Sequence, residues 1–331
     1  MFKLKILTRE EVRQLVTMAQ AIAAVKEAFL QLSAGKSILP LRTQVPVESQ
    51  DGVTLFMPAY LSTSDALGAK IVSVFPKNVN KDLPTIHALM VLVNPETGQP
   101  AAVMDGTYLT ALRTGAASGV ATEILARTEA SAAAIIGAGI QGHTQLEAVC
   151  TVRTIKKAWI YDSRLEAATA YAKAMKKQGG PIPADISVAD SAAQAVREAD
   201  IICAATTSTE PVFEDEDLKP GVHINGIGSY TPEMHEIPSQ TVARSKVIVD
   251  SRSASLAEAG DLIIPMKAGL INEEHIHGEI GEIAAGKIPA RESDDEITFF
   301  KSVGLAVQDV AVGELIRRQA ERLGMGKEVE I

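Results

Sequence analysis

Three basic residues stand among apolar neighbours: Arg42 in Leu39-Pro-Leu-Arg-Thr-Gln44, Lys70 in Leu67-Gly-Ala-Lys-Ile-Val72 and Arg113 in Leu109-Thr-Ala-Leu-Arg-Thr-Gly-Ala116. On a strand, a cation so placed often lays its stem on the apolar surface and snorkels to water. Arg113 resists that reading. The small residues Gly115, Ala116, Ala117 and Gly119 follow it and predict close packing at a crowded junction. A guanidinium there suits bidentate pairing with a carboxylate.

The second constellation is Ser131-Ala-Ala-Ala-Ile-Ile-Gly-Ala-Gly-Ile-Gln-Gly142. An apolar run ends in Gly137, Gly139 and Gly142, a helix-compatible segment follows, and a second apolar run, Ala158-Trp-Ile-Tyr161, ends in Asp162. Strand, glycine turn, helix, strand and an acid about 20 residues on is the dinucleotide fingerprint. Gly137 permits the tight turn, Gly139 lets backbone approach a pyrophosphate, and Gly142 lets the helix sit close to the sheet. The free N–H groups of the helix start favour phosphate, and Asp162 can accept from a ribose diol. That acid favours NAD(H), because it repels a 2′-phosphate; Arg164 softens the preference and leaves NADP(H) as a second option.

A third candidate is Asn225-Gly-Ile-Gly-Ser-Tyr-Thr-Pro-Glu-Met234. It follows a strand of the nucleotide domain, and ligands bind at the carboxyl ends of such strands. Ser229 and Tyr230 are its proton-bearing groups; the bland alternative is a plain turn set by glycine and Pro232. The histidines suggest no metal site: His275 and His277 do not share a helix face, and no third ligand stands nearby. His87 reads as a satisfied sheet residue, and Cys150 and Cys203 as buried reduced thiols.

These groups need scaffolding, and 331 residues suffice for two domains. Thr8 to Ala34 has helical spacing, with Thr8 and Glu11 as a capping box and Gly35 after the end. From Leu39 to Met104 short β-type runs are broken by Pro46, Asp51-Gly52, Pro58, Gly68, Pro76 and Asn94-Pro95, which suggests an antiparallel sheet of hairpins with Asn94–Gly98 as one loop. Thr107 to Arg127 reads as one Ala-rich helix. From Ala130, strands and helices alternate, with strands expected at 132–136, 158–161, 186–188, 200–205, 222–226 and 246–250. That alternation predicts a doubly wound parallel sheet. Asp294-Asp-Glu296 reads as a helix start, and the tail from Glu296 to Leu323 as helix that packs back on the first domain. The expected fold is α/β: a Rossmann domain (119–307) inserted in a mainly antiparallel α+β domain (1–118 plus 308–331).

Bulk properties narrow the function. The chain is 46% hydrophobic and 22% charged, with a formal charge of −9. An acidic balance argues against nucleic acid as partner. No apolar run is long enough to span a bilayer, and the start lacks the pattern of a secretory leader. A cytoplasmic protein with no membrane partner is expected.

Together the motifs resemble the ornithine cyclodeaminase/mu-crystallin family. The matching pieces are Phe56-Met-Pro-Ala59, Gly68-Ala-Lys70, the Asn94–Gly98 turn, Ala111-Leu-Arg-Thr-Gly-Ala116, Gly137–Gly142, Gly228-Ser-Tyr-Thr-Pro232 and Ser302-Val-Gly-Leu-Ala-Val-Gln-Asp309. The resemblance implies a homodimer and a site in which Arg42, Lys70 and Arg113 hold the α-carboxylate of an amino or imino acid, with Ser229 and Val303 beside the substrate. It implies cofactor contacts from Thr85, Arg113, Thr114, Gly139, Ile140, Gln141, Asp162, Thr206, Gly228 and Ser302, besides Gly137, Gly142 and Arg164 from the fingerprint. Two departures bear on substrate. The cyclodeaminases carry an aspartate two residues before the proline of the Gly228–Pro232 motif, and here Tyr230 stands there. They also carry a glutamate two residues before the Met-Pro pair, and here Leu55 stands there. A site without both acids is poorly built for a diamino acid. The expectation is therefore NAD(P)H-dependent reduction of Δ1-pyrroline-2-carboxylate or Δ1-piperideine-2-carboxylate to L-proline or L-pipecolate, with Lys70, Tyr230 or a bound water supplying the proton. The alternatives are ornithine cyclodeamination, alanine dehydrogenation, or non-catalytic binding of mu-crystallin type.

Overall fold

The computed structural model describes residues 1–331. The chain opens with β1 (Lys3–Leu7), α1 (Arg9–Leu15), α2 (Met18–Ser33), β2 (Ser37–Ile38), β3 (Thr43–Val47), β4 (Gly52–Leu61), β5 (Ala66–Val74), β6 (Ile86–Val93), β7 (Pro100–Asp105) and α3 (Gly106–Leu125). The alternating part holds β8 (Ala132–Ile136), α4 (Ile140–Val152), β9 (Lys157–Tyr161), α5 (Leu165–Gln178), β10 (Asp185–Val188), α6 (Ala192–Arg197), β11 (Ile201–Ala204) and β12 (His223–Gly226). It continues with α7 (Ser239–Arg244), β13 (Lys246–Val249), α8 (Arg252–Glu258), α9 (Gly260–Lys267), β14 (Ile276–Glu279), α10 (Ile280–Ala284) and β15 (Thr298–Lys301). The chain closes with α11 (Ala306–Leu323) and β16 (Lys327–Glu330). Contacts divide it into two units, residues 1–113 with 305–331, and residues 114–304; α3 crosses the first division.

The first unit carries a mixed, mostly antiparallel sheet in the order β16-β1-β7-β6-β5-β4-β2, with β3 also paired to β4. Only β1 and β7 run parallel within it. Period-2 alternation sets its two faces. Met57, Lys70, Met90 and Met104 form one cross-strand row, all buried, and α11 packs over β4, β5 and β6. Phe56, Ile71 and Leu89 form the neighbouring row on the opposite face, where Phe56 and Leu89 are each 41% exposed. β1 and β16 bring Phe2 and Ile331 into mutual backbone hydrogen bonds of 3.0 Å.

The second unit is one parallel sheet in the order β10-β9-β8-β11-β12-β15-β13-β14. The chain leaves β8 toward β9 on one side and returns to β11 on the other, so the strand order reverses between β8 and β11. Strands such as Ile201–Ala204 and Thr298–Lys301 are buried throughout, as expected when both faces of a parallel sheet are covered. In this unit Gly115 on α3 meets α4 so closely that a Cβ there would lie 2.5 Å from the Thr144 carbonyl oxygen, which explains the small-residue run after Arg113.

The doubly wound sheet and the mostly antiparallel sheet are as expected. Four local readings need correction. The N-terminal helix is two helices, because Thr17 and Gln20 form a second capping box that starts α2 at an 84° bend from α1. β1 and β16 were not foreseen. Residues 298–301 are a strand in the middle of the parallel sheet rather than the start of a helix; Gly304 at φ +81° ends that segment and α11 begins only at Ala306. Asp294-Asp-Glu296 is accordingly a turn. His87 is a sheet residue as expected, exposed on β6 and paired in register with Ser73. No single helix is long and apolar enough to cross a membrane.

Candidate active site

In the first unit, the inward parity of β5 points Lys70 toward α11 rather than to water. Its side chain is 1% exposed, and Nζ lies 2.9 Å from both oxygens of Asp309, itself fully buried. Arg113 reaches the same acid, with Nε 3.0 Å from Asp309 Oδ1, and donates from Nη1 to Gln308 Oε1 at 2.8 Å. One carboxylate thus receives two side-chain cations. Arg42, in the segment between β2 and β3, is half-buried and adds its positive field to Lys70. Burial, then the Arg113 guanidinium, pull the Lys70 ammonium down to about 8 against the opposing pull of Asp309. Gln308 Nε2 has no hydrogen-bond partner, and Asp309 Oδ2 has only the Lys70 ion pair. Two cations on one acid leave an excess of positive charge that an anionic ligand would offset. No acid comes from β4 at position 55, where the partly buried Leu55 pairs with Val72. Thr85 lies just before β6 and its carbonyl accepts the Phe75 N–H, while Thr114 is buried on α3.

In the second unit, Gly137 adopts φ +102°, a conformation that side chains resist. Gly139 caps α4, and a Cβ built on it meets nothing within 4 Å. A Cβ on Gly142 would instead lie 2.3 Å from the Gly137 carbonyl oxygen. The turn is therefore open at Gly139, beside the free N–H groups of Ile140 and Gln141, and closed against itself at Gly142. That is the shape a pyrophosphate needs. Asp162, at the end of β9, accepts the Ala138 N–H on Oδ2 and the Arg164 N–H on Oδ1, both at 2.9 Å, so it clasps the turn. Each oxygen keeps a further lone pair for a ribose hydroxyl. The Arg164 side chain is 79% exposed, with Nε 3.7 Å from Asp162. These residues fit a dinucleotide.

The loops after β11, β12 and β15 are held by acids that the sequence did not single out. Glu236 accepts N–H groups from Thr206, Gly228 and Ser229. Burial, then Asp261, push its carboxyl up to about 7, and Lys301 and the N–H donors oppose the rise. Asp250 accepts the Ser302 hydroxyl at 2.8 Å and the N–H groups of Val303 and Gly304 at 3.0 and 2.9 Å. Burial raises its carboxyl against those bonds. The Ser229 hydroxyl is engaged inside its own loop: it donates to the Met234 carbonyl and accepts the Asp261 N–H. Tyr230 is half-buried at the loop's edge.

The structure therefore brings Lys70 and Arg113 together in the first unit, and Gly137, Gly139, Ile140, Gln141, Gly142, Asp162 and Arg164 together in the second. Asp309, Gln308, Glu236, Asp261, Lys301 and Asp250 are the groups that sequence reasoning passed over. The available signal was a charge inside an apolar stretch, as in Val307-Gln-Asp-Val310 and Thr298-Phe-Phe-Lys301.

Comparison with known proteins bears on this arrangement. The model of the ornithine cyclodeaminase/mu-crystallin family matches residues 3–323. A Δ1-pyrroline-2-carboxylate reductase of Bacillus cereus is 42% identical over 98% of this chain and 99% of its own length. An alanine dehydrogenase of Archaeoglobus fulgidus is 39% identical over 98% of each chain. The solved structure of Thermococcus litoralis Δ1-pyrroline-2-carboxylate reductase with NADH and L-proline superposes with a TM-score of 0.95 at 46% identity, covering 98% of this chain and all of that one. The chain belongs to the ornithine cyclodeaminase/mu-crystallin family.

Proposed function

We propose that this protein reduces a cyclic imino acid, Δ1-pyrroline-2-carboxylate or Δ1-piperideine-2-carboxylate, to L-proline or L-pipecolate, with NADH as the favoured donor and NADPH the lesser one. The observation that carries the reading is the convergence of buried Lys70 and Arg113 on the single acid Asp309. It creates a cationic socket for a carboxylate, in a chain that has Leu55 and Tyr230 where a diamino acid would need acids. Similarity over nearly the full length to pyrroline-carboxylate reductases supports the same substrate class.

Arg42 and Arg113 clamp the substrate carboxylate, and the planar fork of Arg113 fixes its orientation. The bound dihydronicotinamide supplies the hydride. Lys70 Nζ hands a proton to the imine nitrogen; an ammonium with a pKa of about 8 is a stronger acid than an ordinary lysine. The Tyr230 hydroxyl is the alternative source. The C=N bond thus takes up one hydride at carbon and one proton at nitrogen. Val303 and Ser229 border the substrate, and Ser302, Thr85, Thr114, Thr206 and Gly228 the cofactor. Asp162 sets the preference for NADH.

A substrate panel with NADH and NADPH tests this. Rapid imine-dependent oxidation of NADH, and slow or absent turnover of L-ornithine or L-alanine with NAD, is the expected pattern. Ammonia release from ornithine without imine reduction would make it a cyclodeaminase, and preferred turnover of L-alanine an alanine dehydrogenase. Tight binding of nucleotide and imine with no turnover would make it a binding protein. The apolar outer row of Phe56, Ile71 and Leu89 supports pairing of two copies through the mixed sheet, so light scattering should give twice the chain mass. Two free buried thiols, Cys150 and Cys203, suit a reducing cytoplasm.

A further inference from the structure

The Glu236 carboxylate has no exposure and takes three backbone donors from two separate loops. One oxygen accepts the Thr206 N–H at 2.6 Å, from the loop after β11. The other accepts Gly228 at 2.5 Å and Ser229 at 3.0 Å, from the loop after β12. The N–H groups of Glu236 and Ile237 in turn donate to Asp261 Oδ1, and Asp261 Oδ2 pairs with Lys301 Nζ at 3.1 Å. Lys301 also donates to the Gly226 carbonyl. Gly228 is glycine because the acid occupies its side: a Cβ there would lie 2.6 Å from the Glu236 carboxyl and 2.0 Å from the Thr206 carbonyl oxygen. Burying two carboxylates and an ammonium is a poor route to stability alone, since apolar packing commonly does as well or better. What this cluster does, and apolar packing does not, is fix the direction of particular peptide planes.

In a trans peptide the N–H and the preceding C=O point in opposite directions. Three N–H groups turned onto Glu236 therefore turn the carbonyls of Ala205, Ile227 and Gly228 away from it. For Ala205 the direction is visible: its oxygen would lie 2.6 Å from a Cβ on Gly137, so it faces the glycine turn. That turn and this loop follow β8 and β11, the strands between which the sheet order reverses and a ligand binds. We propose that Glu236 is a positioning residue for hydride transfer: it holds the loops after β11 and β12 so that their carbonyl oxygens face the carboxamide donor of the nicotinamide. Glu236 touches neither substrate nor cofactor; it acts through these peptides. The inference rests on the cofactor reading given above.

The test is Glu236→Gln. An amide offers one acceptor oxygen, so whichever way it lies its NH2 confronts the Thr206 N–H or the Gly228 and Ser229 pair. The expected result is a Kd for NADH at least tenfold weaker, a Kd for ADP-ribose within twofold of the wild type, a lower kcat and an unchanged KM for the imino acid. Unchanged NADH affinity in the folded variant would overturn the proposal. Equal weakening of NADH and ADP-ribose would do the same, since that is the mark of a merely structural residue. Amide exchange of the wild-type enzyme decides the matter if the variant does not fold. Protection of segments 205–208 and 227–230 by NADH but not by ADP-ribose is expected, with 137–142 protected by both. Protection of 137–142 alone would refute the role of Glu236 and leave the cofactor reading intact; no protection anywhere would refute the cofactor reading itself.

Discussion

In the mixed-sheet unit the buried acid Asp309 takes two side-chain cations, whereas in the parallel-sheet unit Asp162, Glu236 and Asp250 take backbone N–H groups. Both uses satisfy a desolvated carboxylate. They differ in what they leave for a ligand. Asp309 gathers side-chain cations whose charge remains in excess, so that region offers charge. The acids of the other unit immobilise peptide planes around loops, so that region offers direction. A reductase of a carboxylated imine needs both: charge to seat the acid group and direction to aim the hydride.

Variants on each side separate the two. The largest effect is expected from Arg113→Ala, which removes the fork and leaves Asp309 with Lys70 alone. Loss of one partner of a buried charge pair costs about 2–5 kcal/mol, so kcat/KM for the imine should fall on the order of 10²–10³-fold while NADH affinity weakens only partly. Near-normal kcat/KM would remove Arg113 from the clamp. Asp309→Asn tests the same socket from the acid side. It leaves two buried cations without a counter-charge, for about 3 kcal/mol or more of stability, read by urea denaturation, and a kcat/KM lowered roughly tenfold or more. A variant as stable as the parent would show that the cations keep other partners.

On the directional side, the glycine turn contains its own control. Gly139→Ala meets no protein atom within 4 Å, so the melting temperature should hold while NADH binding weakens about tenfold, because the methyl enters the phosphate's space. Loss of melting temperature without loss of affinity would mean that the open side of the turn is not the phosphate seat. The smallest effect is on pH. Lys70 loses its proton as pH rises through about 8, so KM for the imine should climb a few-fold between pH 7 and 9. Its pKa lies below that of an unfolded lysine, so the folded state is not weakened by this group over the same window; its contribution grows from about pH 8 upward. Lys70→Gln should remove that rise and so distinguish it from titration of the substrate. A wild-type KM flat across pH 7–9 would mean the ammonium does not sit on the carboxylate.

What was legible in the sequence divides along the same line. The glycine turn, its helix and Asp162 lie within 26 residues, and local spacing encodes them. The alternation of strands and helices likewise announced the parallel sheet. β15 was read as helix because a four-residue apolar run has too few turns to show a period. The second capping box, Thr17 with Gln20, was present in the sequence but masked by an unbroken helical pattern. Asp309 was invisible as a counter-ion because its partners Lys70 and Arg113 lie 239 and 196 residues away. Glu236 was invisible for another reason: its partners are main-chain N–H groups, which every residue but proline possesses.

The pairing of β1 with β16, and the packing of α11 over β4 to β6, mean that the first unit is built from two distant stretches of chain, while residues 114–304 are contiguous. During synthesis the nucleotide unit has all its strands before α11 emerges, and domains generally fold as units, the earlier ones first. Lys70 and Arg113 must wait for Asp309 until the downstream segment arrives. The socket for the acid group is thus the late-maturing part of the molecule: a ribosome-stalled chain ending near residue 304 should acquire nucleotide binding before it can bind an imino acid.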